Sequence, residues 1–228
     1  MNAEIKTVDA LAKLIDHTIL NADASFVEIE RVCAEARKYR FKTVCVNSTR
    51  VALCTNLLEG SGVLPIAVIG FPLGAMATES KAYEASNAIL AGAREIDMVI
   101  NIGLLKDKDF AGVTTDIKAV VLASAPFPVK VIIETALLTR DEKIAACQAI
   151  VDAGAAFVKT STGFSIAGAQ ADDIKLMRKI VGVNVGVKAS GGIRTWEIAK
   201  LMLNSGANRI GASASIKILE EFAEAQNV

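Results

Sequence analysis

Short apolar runs alternate with longer amphipathic segments along the whole chain, and this rhythm restricts the fold more than any other feature. The short runs are Thr43–Val46, Ile66–Ile69, Ile96–Ile100, Val129–Ile133, Phe157–Lys159, Val185–Lys188 and Arg209–Gly211, with a weaker one near Leu14–Asp16. Helical patterns follow them near residues 25–39, 48–59, 79–91, 108–123, 140–152, 171–181, 195–205 and 213–225. A strand that returns after every helix argues for a parallel sheet. Eight such units in 228 residues suit an α/β fold of the closed (β/α)8 TIM-barrel type. An extra N-terminal helix and a single domain over 1–228 complete the expectation. An open doubly wound sheet competes, but no G-x-G-x-x-G follows the first strand.

A fragmentary repeat gives this plan a register. Three helical segments end in a small residue and Gly-Ala: Ala91-Gly92-Ala93, Ala153-Gly154-Ala155 and Ser205-Gly206-Ala207. Glycine suits the left-handed position just past a helix. Five residues beyond each glycine stand Asp97, Lys159 and Gly211, on strands four, six and eight. Alternate strands of such a barrel fill the same interior layer. Asp97 and Lys159 are therefore expected to point inward at one height, with open space at Gly211. In the second unit Arg40 holds the glycine slot, and the same offset gives Cys45.

Strand ends are where such barrels carry their chemistry. Lys159 ends a buried strand, where desolvation disfavours the ammonium and frees a nucleophilic amine. Lys188, at the expected end of strand seven, would repel it and lower one pKa further. Asp97 lies in an apolar strand and needs a partner, for which a lysine is the expected one. The competing structural reading is an ion-paired lysine with Asp97 as its counter-ion. Gly191-Gly192 and Gly211-Ala212-Ser213 follow strands seven and eight, where small residues let backbone amides approach an anion. Ser213 is read as the start of the next helix. Thr160, Ser161, Thr162 and Gly163 offer further donors, or simply helix capping.

Other conspicuous residues read as structural. Cys33, Cys45, Cys54 and Cys147 form no CxxC pair and suggest no disulfide framework. His17, the single histidine, is expected to pack in a hydrogen-bonded pair with Asp16, and it counts against a multi-histidine zinc site. Trp196 should pack at a helix start, and Glu220, Glu221 and Glu224 should form a solvated face. Charge is balanced, 25 basic against 25 acidic residues, so neither nucleic acid nor an anionic membrane is an expected partner. The start, MNAEIKTVDALAKLIDHT, lacks the basic and then apolar run of a signal peptide. No apolar stretch reaches the ~20 residues of a membrane helix. A soluble, reduced, cytoplasmic protein is the expectation, and a homodimer is a reasonable guess for its assembly.

Val158–Gly163, Val187–Arg194 and Arg209–Ser213 together resemble the deoxyribose-phosphate aldolase family. Leu14–Thr18, Thr43–Asn47, Gly70–Gly74, Glu95–Asn101 and Lys130–Thr135 look like its other blocks, in order along nearly the whole chain. The resemblance implies a class I aldolase that reversibly cleaves 2-deoxy-D-ribose 5-phosphate into acetaldehyde and D-glyceraldehyde 3-phosphate, in deoxyribonucleotide catabolism. It implies Lys159 as the Schiff-base lysine, Lys188 as the second lysine and Asp97 as the acid/base aspartate. It also implies a small-molecule sugar phosphate as partner, no cofactor and no metal. Asn21 stands where many members have lysine, and Phe164 where some do. Some members carry a longer tail with a tyrosine, where this sequence reads Gln226-Asn227-Val228. Two rivals differ in class. One is an isomerase or synthase acting on a sugar phosphate. The other is a non-catalytic metabolite-binding barrel, which leaves two lysines in an apolar mouth unexplained at a cost of several kcal/mol.

Overall fold

The computed structural model describes residues 5–226; Met1–Glu4 and the tail residues Asn227 and Val228 lie outside them. A short helix, α1 (Val8–Ala12), comes first, held by the Thr7 side chain at its N-terminus. The strands are β1 (Ile15–Thr18), β2 (Thr43–Asn47), β3 (Leu64–Ile69), β4 (Glu95–Val99), β5 (Val129–Ile132), β6 (Phe157–Lys159), β7 (Gly186–Ser190) and β8 (Arg209–Ala212). Each pairs in parallel with its sequence neighbour, and β8 closes on β1. Around the barrel run α2 (Phe26–Tyr39), α3 (Val51–Leu58), α4 (Thr78–Leu90), α5 (Ile102–Lys106), α6 (Phe110–Ser124), α7 (Arg140–Asp152), α8 (Ala171–Val181), α9 (Trp196–Asn204) and α10 (Ser215–Gln226). This is the closed (β/α)8 barrel that the alternation predicts, with its extra N-terminal helix.

Local chemistry explains the joints. Ser25 with Glu28, and Thr139 with Glu142, form reciprocal capping boxes that start α2 and α7. Gly92, Gly154 and Gly206 take positive φ just past α4, α7 and α9, as the repeat predicts. Arg40, in the equivalent slot after α2, adopts the same left-handed backbone at φ 54°. Three boundaries differ from the sequence reading. A 3-10 turn, Ser48–Arg50, precedes α3. The single-turn helix α5 is nucleated by Asn101, whose side chain accepts a bond from the Leu104 amide. Finally, α10 starts at Ser215, not Ser213.

Period-2 alternation along the strands sorts the barrel into two environments. Outward residues such as Val44, Ile96, Met98, Val131, Val158 and Val187 are fully buried in the apolar layer shared with the helices. Several inward positions instead carry charge. The same rule corrects the Asp16–His17 pairing expected from sequence. As strand neighbours they face opposite ways. His17 Nε2 lies 2.8 Å from Glu35 on α2 and its ring stacks on Phe41, while Asp16 joins the barrel interior. Trp196 packs edge-on against Phe222, as expected. Glu221 is not simply solvated, because its carboxylate accepts a 2.7 Å bond from the Trp196 amide.

A second buried ion pair lies outside the barrel. Lys81 on α4 reaches Asp116 on α6 at 2.7 Å and the Val99 carbonyl at 3.1 Å, and neither side chain is exposed. Lys81→Met is expected to cost about 3–5 kcal/mol, because Asp116 is left as an unpaired buried charge. Lys81→Met with Asp116→Leu should recover most of that loss in urea denaturation. A double variant no better than the single one would refute the pairing as the source.

Candidate active site

Inside the barrel, six strands bring seven ionisable side chains into one connected network. Asp97 on β4 sits at its centre. Its Oδ2 accepts from Lys159 Nζ and from Lys188 Nζ, each at 2.7 Å, and its Oδ1 accepts from Lys130 Nζ at 2.9 Å. Lys188 also contacts Asp16 at 2.5 Å. Below, Lys130 pairs with Glu95, and Arg209 bridges Asp16 at 2.8 Å and Glu95 at 3.2 Å. Phe157 lies under this layer with the Arg209 and Lys130 cations over its ring. Neighbouring strands create the contacts: Asp97 is in register with Lys130, Lys159 with Lys188, and Asp16 with Gly211.

Charge counting across this network leaves one basic group in surplus: three carboxylates, Asp16, Glu95 and Asp97, face four basic side chains, Lys130, Lys159, Lys188 and Arg209. The directions of the pKa shifts single out Lys159 as the lysine whose ammonium is disfavoured. Burial pulls the Lys159 amine below the usual lysine value, and the Lys188 cation adds to this against the attraction of Asp97. Burial opposes the charge on Lys188 as well, but Asp16 and Asp97 outweigh it and hold that ammonium above its ordinary range. For Lys130, too, the cost of burial is outweighed, first by Asp97 and then by Asp16. Burial alone would raise the Asp97 carboxyl; Lys130, Lys159 and Lys188 instead hold it well below the usual carboxylate range.

Lys159 is the network member that reaches the pocket. The pocket is bounded by Thr162, Gly163 and Phe164 after β6, by Ser190 to Arg194 at the end of β7 and beyond, and by Gly211, Ala212 and Ser213 at β8. Thr18, Leu20 and Asn21 complete it from the β1 side. Gly163, Gly191, Gly192, Gly211, Ala212 and Ser213 thus stand together around the Lys159 end of the barrel. Thr160 does not. Next to Lys159 on the chain, it turns away, and its hydroxyl is engaged with the Ser190 carbonyl and amide at 3.0 Å each. It stitches the β6 and β7 ends together and does not line this pocket. Helix capping by Thr160–Thr162 is not observed either, since Thr162 binds Glu134.

Two more expectations need revision. The space left by Gly211 is filled by Lys188: a β-carbon at 211 would lie 2.9 Å from Lys188 Cε. Glycine there lets Lys188 cross to Asp97. Lys188 itself sits in mid-strand, with Ser190 ending β7. Cys45 does fall at the predicted inward position, packed with Leu20, Ile66 and Val68, and burial pushes its thiol up to about 11. Asp16, Glu95, Lys130 and Arg209 were missed by the sequence reading. Each is a charged residue inside or at the edge of an apolar strand, and that was the available signal.

A parallel barrel whose pocket is reached by a buried lysine of lowered pKa, flanked by glycine-containing loops after β7 and β8, has the makings of a covalent lyase. Comparison with known proteins sharpens that class. A family model described as DeoC/LacD family aldolase matches residues 10–220. A Clostridium perfringens protein named deoxyribose-phosphate aldolase is 58% identical over 211 residues, covering 92% of this chain and 94% of that one. A protein of the same name from Alkaliphilus oremlandii is 55% identical over 212 residues, with 92% and 96% coverage. Among solved structures, deoxyribose phosphate aldolase from Aeropyrum pernix, described as tetrameric, superposes with a TM-score of 0.91 at 32% identity, over 97% of this chain and 94% of that one. The chain belongs to the DeoC/LacD aldolase family, and it is an enzyme of the lyase class.

Proposed function

We propose that this aldolase reversibly cleaves 2-deoxy-D-ribose 5-phosphate into D-glyceraldehyde 3-phosphate and acetaldehyde through a Schiff base on Lys159. The observation that carries the reading is the buried, surplus amine of Lys159, 2.7 Å from Asp97 and open to the pocket. The free amine attacks C1 of the open-chain sugar. Loss of water, with uptake of one proton, gives an iminium. The C3 hydroxyl then gives up its proton as the C2–C3 bond breaks, and the bonding pair moves into the iminium. D-Glyceraldehyde 3-phosphate leaves, and an enamine of acetaldehyde stays on Lys159. Protonation at C2 and hydrolysis release acetaldehyde and restore the amine.

Asp97, with Lys188 as its fixed cation, is assigned the proton transfers, through an intervening water. Lys188 also keeps Lys159 neutral. Gly163, Gly191, Gly192, Gly211, Ala212 and Ser213 are assigned the 5-phosphate, which orients the reacting carbons. The iminium withdraws electrons as an electrophilic metal would, so the reading assigns no metal and no cofactor. It also assigns the enzyme to the breakdown of deoxyribonucleotides as a single domain, in the cytoplasm, where free thiols persist. A homodimer remains part of the proposal, to be read from light scattering.

The test is borohydride reduction of the protein with acetaldehyde, followed by peptide mass spectrometry. An adduct on Lys159 is expected; an adduct mapped to another lysine would sink the assignment. The pH profile offers an independent check. Only unprotonated Lys159 attacks, and its pKa is lowered, so kcat/KM should fall as pH drops through that lowered value. Lys188, held above its usual range, stays charged on the alkaline side. A rate independent of pH between about 5 and 10 would contradict the free-amine requirement.

A further inference from the structure

The loop after β6 connects Lys159 to the part of the pocket assigned to phosphate, and a side chain from the neighbouring strand holds it. Glu134 follows β5 and is only 3% exposed. Its Oε2 accepts a 3.1 Å bond from the Thr162 amide and a 2.5 Å bond from the Thr162 hydroxyl. The same hydroxyl oxygen accepts from the Phe164 amide at 3.0 Å. One carboxylate oxygen therefore fixes Thr162 at two atoms and, through it, Phe164, with Gly163 held between them. All three loop residues line the pocket, and Glu134 does not.

The backbone supplies an independent observation. Glu134 lies in the left-handed region, with φ 55° and ψ 66°. That conformation is unfavourable for a residue with a β-carbon and open to glycine. Strain of this kind at a buried, charged side chain points to a role for the side chain itself. The other oxygen, Oε1, is buried without a hydrogen-bond donor, so the bonds of this carboxylate run to Thr162 alone.

We propose that Glu134 is a positioning residue for the phosphate end of the site, acting by locking the Thr162–Phe164 loop so that the Gly163 amide faces the substrate. The inference rests on the phosphate assignment made above. It adds that recognition of the phosphorylated end depends on a carboxylate that never touches the ligand.

The experiment compares the parent with Glu134→Gln and Glu134→Gly on 2-deoxyribose 5-phosphate and on unphosphorylated 2-deoxyribose. Glycine relieves the backbone strain while deleting the clamp. KM for the phosphorylated sugar should rise about tenfold or more in Glu134→Gly, with kcat/KM for 2-deoxyribose within about threefold of the parent. Glu134→Gln should restore the parent KM, since its amide carbonyl accepts both Thr162 bonds and its nitrogen replaces an oxygen that has no donor to lose. An unchanged KM in Glu134→Gly, equal losses on both sugars, or a glutamine variant as impaired as the glycine one would each overturn the proposal. Should Glu134→Gly fail to fold, Glu134→Asn decides, since asparagine tolerates the left-handed backbone while its side chain is one methylene shorter and falls short of Thr162. KM for the phosphorylated sugar should rise as in the glycine variant, whereas a parent-like KM refutes the clamp. A parent enzyme that forms the acetaldehyde adduct but ignores the phosphate overturns both this inference and the phosphate assignment. A parent without the adduct refutes the Schiff-base reading separately.

Discussion

Lys159→Ala is expected to abolish aldol cleavage and to leave the protein folded. The first half follows from the proposed mechanism, in which Lys159 carries the iminium that accepts the C2–C3 electrons. Loss of a covalent nucleophile lowers turnover by a factor on the order of 10⁴ or more. Borohydride with acetaldehyde should label the parent and not the variant. The second half follows from charge balance. With Lys159 neutral, Asp16, Glu95 and Asp97 are already matched by Lys130, Lys188 and Arg209. Removing the amine unbalances nothing, and thermal unfolding should stay near that of the parent. A variant that still forms the adduct would move the nucleophile elsewhere. A variant that unfolds would show that Lys159 was carrying a needed charge.

Lys188→Leu should behave differently, although both side chains touch Asp97. Its removal leaves two cations against three buried carboxylates. Lys188 lies between Asp16 and Asp97, and breaking that contact should cost about 3–5 kcal/mol. The interior then favours a proton on Lys159, so the amine pKa rises and less of it is free near neutrality. Turnover at neutral pH should fall by about 10² to 10⁴-fold, the usual contribution of a positioned proton-transfer group. The remaining activity should shift towards alkaline pH. The pH–rate profile and chemical denaturation test the two effects separately. Near-normal turnover with an unshifted profile would remove the assigned role of Lys188.

The contrast between these lysines shows what was legible in the chain. The helix-end glycines and their five-residue offset placed Asp97 and Lys159 in one layer, and their side chains do meet. The alternation rule was available for Thr160 too: as the strand neighbour of an inward lysine it had to face away. The local motif, a lysine followed by hydroxyl residues and glycine, instead suggests a binding role for every member. Asp16 was drawn towards His17 by adjacency, although adjacency on a strand means opposite faces. Glu95, Lys130 and Arg209 stood in view as charges within apolar strands, yet no local pattern linked one to another.

The order of apolar runs and helix stops was enough to specify eight strand–helix repeats and a parallel sheet, because both reflect short-range backbone and burial preferences; the pairing of β8 with β1 closes it. It also determined which side chains point inward, since pleating fixes that residue by residue. Which lysine has its ammonium disfavoured was decided only by the tertiary structure. That outcome depends on seven ionisable groups contributed by β1, β4, β5, β6, β7 and β8, and electrostatic energy varies with distance through space and with burial, not with separation along the chain.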